Sequence, residues 1–255
     1  MMKRTWLTPR AAAAALSGVL LAAPAGAFDI GAMTEAERDA FGEAVRGYLM
    51  ENPEVLVEAI TVLEQRQFEQ QAGDDQALIA MNAEQIFTDG HSWVGGNSDG
   101  DVTVVVFMDY RCGFCRQAHP ETEALVAGDG NIRYVLKEFP ILGEQSLLAS
   151  RFAISVHQME GDEAYKRAHD ALMEMRGDVT IESLQRLATE LGHDGPSLVS
   201  HMNTEAVNRI LRENAQLAEQ LRISGTPTFI VDDQMVRGYV PLEGMEQIVA
   251  AAREE

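Results

Sequence analysis

The sequence predicts an α/β fold, a buried sheet wrapped by helices and preceded by an N-terminal helical segment. Three observations carry that expectation. Residues 102–110 (VTVVVFMDY) and 131–140 (NIRYVLKEFP) are β-branched, apolar runs of the length and texture of buried strands. Residues 226–231 and 235–240 form a second strand pair around an Asp-Asp-Gln turn. Between these pairs, residues 144–222 carry a helical pattern, with helices near 145–159, 162–176, 180–192 and 204–222.

The chain opens with a different texture. Lys3, Arg4 and Arg10 supply a basic start, an Ala/Leu-rich run follows over 11–23, and Ala25 and Ala27 have the spacing of an export-signal cleavage site. The apolar run is shorter than the roughly 20 residues that span a bilayer. Residues 1–27 therefore read as a signal peptide cleaved after Ala27, with a soluble mature chain beginning at Phe28 in a bacterial periplasm. Losing Lys3, Arg4 and Arg10 takes the formal charge from −20 to −23. So acidic a surface excludes nucleic acid as a partner, because it repels phosphate.

Residues 28–90 read as helical. Thr34-Glu35-Ala36-Glu37 is a capping box, and Phe41, Val45, Tyr48 and Leu49 recur at helical spacing. Asn52-Pro53 stops this helix and starts another, with Asn as N-cap and Pro in the first turn. Leu56, Ile60 and Leu63 continue an apolar stripe that dissolves in the polar run 64–76. The stripe packs either on the rest of the chain or on another copy. Residues 95–101 (GGNSDGD) read as a linker, and "LEGMEQIVAAARE" (242–254) as a closing helix.

Both cysteines lie in "DYRCGFCRQAHP" (109–120), at the end of the first buried strand and the start of a helix. Cys112 at a helix N-terminus meets unpaired N–H groups and the positive end of the dipole, which favour a thiolate. Cys115, one turn on, faces the same side and can close a disulfide. Arg111 and Arg116 make the motif locally positive in an acidic chain. A structural zinc site needs four ligands and there is no second cysteine pair. His119 reads as a surface histidine, and a disulfide across so small a loop would restrain little of the unfolded chain. With 46% apolar residues the chain can build an ordinary core, which leaves the cysteines free for redox chemistry.

"FMDYRCGFC", "KEFPIL" and "SGTPTFIV" together resemble the DsbA-type disulfide oxidoreductases of the thioredoxin fold, over residues 91–255. The resemblance implies a thioredoxin-like catalytic domain with a helical insertion at about 144–222. It makes Cys112 the nucleophile and Cys115 the resolving thiol, with Thr226 and Pro227 as a cis-proline loop that pairs with substrate backbone. Pro120 matches the helix-kinking proline of thioredoxins, or else marks an ordinary helix end. Ahead of that domain, "YLMENPEVLVEAI" (48–60) resembles suppressor-of-copper-sensitivity protein C, whose N-terminal helices drive trimer formation and isomerase activity. The resemblance thus implies a homotrimer.

Two positions depart from the pattern. Six residues before the nucleophile, where the family often has a buried Glu as proton relay, stands Val106. Asp109 should point elsewhere, which leaves Lys137 or Glu138 as substitutes. Between the cysteines stand Gly113 and Phe114, closer to periplasmic isomerases than to strong oxidases, which commonly have a histidine there. The expected function is a periplasmic thiol–disulfide oxidoreductase, isomerase or reductase rather than net oxidase, with no cofactor. Its substrates would be cysteine-containing secreted proteins and its electron partner a membrane thiol reductase or oxidase. The competing class is a Cu(I)-binding protein using the same two thiolates, since soft ligands select Cu(I).

Overall fold

The computed structural model describes residues 30–254; the export segment 1–27 and the start at Phe28 lie outside them. The chain divides into two compact units, residues 1–61 and 62–255.

The first unit is built on α1 (Glu35–Glu51) and the opening turns of α2 (Glu54–Met81). The Thr34 capping box forms, Thr34 Oγ1 accepting from the Glu37 amide while the Glu37 carboxylate accepts from the Thr34 amide at 2.9 Å. Asn52 differs from expectation. Its side-chain amide donates back to the Tyr48 carbonyl at 2.9 Å, so it closes α1 rather than capping α2. No residue of α1 is buried, and Phe41, Val45, Tyr48, Leu56, Val57 and Ile60 are all exposed. A helix with this much uncovered apolar surface usually has a partner.

The second unit holds a five-stranded sheet in the order β1-β3-β2-β4-β5. Its strands are β1 (Trp93–Gly96), β2 (Val102–Met108), β3 (Ile132–Glu138), β4 (Thr228–Val231) and β5 (Gln234–Arg237). Only β2 and β3 pair in parallel, with Val106 opposite Leu136 and Met108 opposite Glu138. Both faces are covered. On one, Val104, Val106, Tyr134, Leu136 and Phe229 join a core built with α4 (Gly113–Asp129), α5 (Glu144–Glu160), α6 (Asp162–Glu174) and α10 (Leu242–Ala252). On the other, Val105, Phe107, Val135 and Ile230 meet Leu217, Ala218 and Leu221, from α9 (Glu205–Gln220) and just beyond its end. Burial on both sides explains why β2 and β3 read as continuous apolar runs.

Two elements depart from the sequence reading, a strand at 93–96 and a helix at 195–201. Helix α3 (Ala83–Phe87) follows α2. The polar run 64–76 within α2 is helical, as expected of residues 28–90, because its Glu, Gln and Arg residues are good helix formers without an apolar stripe. It then docks through polar contacts: buried Asp75 accepts from Arg237 on both carboxylate oxygens, at 2.6 and 2.8 Å. Residues 93–96 form a strand that runs into the supposed linker. Gly95 lies under the Trp93 ring, where a Cβ would fall 1.9 Å from the indole, so glycine marks close packing there. "DGPS" opens a helix, α8 (Gly195–His201), after α7 (Ile181–Glu190); Asp194 is its N-cap and proline lies in its first turn. Among the described residues no helix is long and apolar enough to cross a membrane.

Candidate active site

Strand β2 delivers the cysteine motif to the edge of the core. Asp109 and Tyr110 follow it, both fully buried. The Asp109 carboxylate accepts the Arg111 amide at 2.7 Å on one oxygen and the Ile141 and Leu142 amides at 2.8 and 3.0 Å on the other. One buried carboxylate thus ties the turn before Cys112 to the loop after β3. It points away from the thiols, as the sequence reading expected.

Cys112 is the N-cap of α4. Its sulfur accepts the Cys115 amide at 3.4 Å, and its thiol donates to the Thr226 carbonyl at 3.1 Å. The Thr226–Pro227 peptide bond is cis, and Pro227, Cys115 and Val106 line one small cavity. Four residues singled out in the sequence, Cys112, Cys115, Thr226 and Pro227, are therefore brought together. Both cysteines are free thiols. Burial, aided by the neighbouring Cys112 sulfur, pushes the Cys115 thiol well above its ordinary value. Phe114, between them, is 61% exposed.

The flanking arginines do not aim their charge at a sulfur. Arg111 Nη1 donates to the Gly177 carbonyl at 2.8 Å and Arg116 Nε to the Tyr110 carbonyl at 2.7 Å. Pro120 lies inside α4, which runs on to Asp129, so it is no helix end.

Where the family's acid is expected, Val106 is buried apolar core between Leu136 and Phe229. Lys137 does not replace it. Strand alternation turns it to the opposite face, where it bonds the Gln85 carbonyl and Asp89. Glu138 is fully buried and shares the face of Tyr134 and Leu136, which line the Cys115 cavity. Glu138 Oε1 accepts from Tyr110 and Tyr165, each at 2.7 Å. Burial outweighs the hydroxyls of Ser150, Tyr110 and Tyr165 and pushes its carboxyl up to about 7.

The Tyr110 hydroxyl also lies 3.0 Å from His169 Nδ1. His169 and His119 both line the Cys115 cavity. His119 is no surface histidine: its side chain is 11% exposed and its Nε2 lies 3.1 Å from Asp170. Sequence reasoning missed Tyr110, Tyr165 and His169. The last two come from α6, and only the fold brings that helix to the motif.

Residues 103–250 match the DSBA-like thioredoxin domain, more than half of the chain. The chain belongs to that family. It is thus a DsbA-like thiol–disulfide oxidoreductase with its dithiol at Cys112 and Cys115. Residues 37–70 match the copper resistance protein ScsC N-terminal domain. A thioredoxin-like oxidoreductase from Silicibacter pomeroyi DSS-3 is 39% identical, with a TM-score of 0.63 over 68% of this chain and 98% of that one. A periplasmic thioredoxin-like protein from Salmonella enterica serovar Typhimurium is 27% identical (TM-score 0.62; 69% and 97% covered). Proteus mirabilis ScsC in a transitional conformation is 26% identical with a TM-score of 0.63, and this match extends to 87% of the present chain and 97% of that one. Among curated proteins, an Na(+)/H(+) antiporter from Salinispora arenicola is 28% identical over 160 residues, and the chain spans 24% of its length.

Proposed function

We propose that the protein works in the periplasm as a disulfide isomerase or reductase for cysteine-containing secreted proteins, rather than as a net oxidase. The observation that carries this reading is the pairing of a helix-capping Cys112 thiol with the Thr226 carbonyl, beside a buried, protonated Cys115.

In this reading the Cys112 thiolate attacks one sulfur of a substrate disulfide. The S–S bond breaks, and the departing substrate sulfur leaves as a thiolate. The Cys115 amide donates to the attacking sulfur, and the substrate segment pairs as an extended strand with the backbone at Thr226-Pro227. Two exits follow. A substrate thiolate attacks the mixed disulfide and frees Cys112, which is isomerisation. Alternatively Cys115 gives up its proton and attacks Cys112 Sγ, which releases a reduced substrate and leaves a Cys112–Cys115 disulfide. A membrane thiol reductase or oxidase then resets the pair. Gly113 and Phe114 place no charge between the cysteines to hold the thiolate, which favours a less oxidising couple.

Residues 28–90 serve as the oligomerising segment and 91–255 as the catalytic domain, after the signal 1–27 is removed. The exposed apolar residues of α1 and α2 support a homotrimer, in which linked copies raise the local concentration of dithiols around one substrate.

The test is refolding of a scrambled-disulfide substrate by the mature protein and by residues 91–255, with light scattering on both. The expected result is a trimer that isomerises and a monomer that only exchanges simple disulfides. A monomeric mature protein, or full isomerase activity in the truncated form, overturns the reading.

A further inference from the structure

We propose that His119, His169 and Asp170 form a binding site for a divalent first-row transition cation, with Zn2+ the fitting case, beside the dithiol but independent of it. Among the described residues these three each offer one ligand atom, all within 4.8 Å of one another.

The decisive group is His169. It is 1% exposed, and its Nε2 has no hydrogen-bond partner. Its tautomer follows from its neighbours. Tyr110 has one hydroxyl proton and gives it to Glu138 Oε1 at 2.7 Å. The 3.0 Å contact between Tyr110 and His169 Nδ1 is then satisfied only if Nδ1 carries the proton and donates it. Nε2 is left as a bare, buried lone pair, an acceptor whose desolvation nothing in the protein offsets. A histidine whose far nitrogen donates into a carboxylate-backed chain is the arrangement that orients metal ligands. Stacking of the Tyr165 ring on His169, with centroids 6.0 Å apart, fixes its plane further.

The other two ligands complete the set. The rings of His119 and His169 meet edge to face at 5.0 Å, and His119 Nε2 lies 3.1 Å from Asp170 Oδ1. Two imidazoles and one carboxylate suit Zn2+ and its neighbours, whereas Ca2+ and Mg2+ ask for oxygen cages. Tetrahedral coordination brings ligand atoms to roughly 3.4 Å apart, given metal–ligand bonds of about 2.1 Å. His119 and Asp170 are partly exposed and can make that adjustment around the fixed His169. Lys166 is the competitor. Its Nζ lies 2.7 and 2.8 Å from the two Asp170 oxygens, but it also reaches Glu123 at 3.1 Å, an alternative partner once an ion takes Asp170.

The test uses the mature protein carrying Cys112→Ser and Cys115→Ser, so that neither thiol can bind metal. The protein is stripped with EDTA and titrated with Co2+ and Zn2+. The expected result is one Co2+ per chain with visible d–d bands and no thiolate charge-transfer band, displaced by Zn2+. Tyr110→Phe, which removes an outer partner, should weaken binding by roughly 10–100-fold, and His169→Gln by more. His119→Gln alters a partly exposed side chain and carries the test should the buried substitution fail to fold; it too should lose affinity. Lys166→Gln should tighten binding by removing the competing cation. Absence of Co2+ and Zn2+ binding in the thiol-free protein overturns the proposal. So does binding that His119→Gln leaves unchanged, or a Lys166→Gln variant that binds more weakly. None of these outcomes depends on disulfide exchange, which the thiol-free protein cannot perform.

Discussion

Cys112 Sγ lies 3.1 Å from the carbonyl oxygen of Thr226, a residue 114 positions further along the chain. The contact joins the start of α4 to the loop that opens β4, beside the cis peptide bond at Thr226–Pro227. The second thiol differs in kind: Cys115 takes part through its amide, while its sulfur is held protonated by burial.

That asymmetry predicts selective alkylation. At pH 7, iodoacetamide should modify Cys112 of the reduced protein well before Cys115, which reacts fully only after denaturation. Peptide mass spectrometry over a time course checks this, and equal rates at the two positions would contradict it.

Asp109 should be the costliest polar residue of the site to remove. Asp109→Ala leaves three partly buried backbone donors without their acceptor, a loss of about 1–3 kcal/mol. Asp109→Asn keeps one acceptor oxygen and should cost less. Urea unfolding of the reduced variants measures both; a loss below about 1 kcal/mol for the alanine variant would show that the loop after β3 does not depend on this carboxylate.

Glu138 gives a pH signature. Its carboxyl titrates at an ordinary 4.5 when unfolded and at about 7 when folded. Below 4.5 both states hold the proton; between 4.5 and 7 only the folded state does. The stability Glu138 contributes is therefore fully present below 4.5 and lost as the pH rises to about 7, on the order of 3 kcal/mol. Glu138→Gln should lack this fall. Stability curves for both proteins in EDTA across pH 4 to 8 check the sign, and a wild-type-minus-variant difference that grows with pH would refute it.

Phe114 should govern affinity for protein substrates. It is an exposed aromatic between the two thiols, and Ile141 and Leu142, held to Asp109 by their amides, are exposed as well. Phe114→Ser should raise KM for an unfolded protein disulfide several-fold and leave reduction of a small-molecule disulfide within about twofold. Equal losses on both substrates would assign Phe114 to the thiol chemistry instead.

The catalytic dithiol was legible because its chemistry is local. A buried strand, two cysteines and a helix lie within one short stretch, and Thr226-Pro227 was reached through the resemblance carried by "SGTPTFIV". The strand at Trp93 was hidden because Gly95 serves the packing of an indole and Gly96 a close approach to the Ile132 carbonyl at positive φ, which look like a linker in one dimension. α8 was hidden by its own Asp-Gly-Pro start. Val106 marked a departure from the family pattern, with Lys137 and Glu138 as the two candidate substitutes. Strand parity separates them, one to each face of β3. The Tyr165 and His169 contributions depend on how α6 packs, which no local pattern encodes.

The central claim is that Cys112 attacks and Cys115 resolves. Mass spectrometry of the single variants incubated with a disulfide-bonded protein substrate tests it most directly. Cys115→Ser should accumulate a mixed disulfide through Cys112, and Cys112→Ser should form none. Mixed disulfides through Cys115 in the Cys112→Ser protein, at a rate near that of the other variant, would contradict the account.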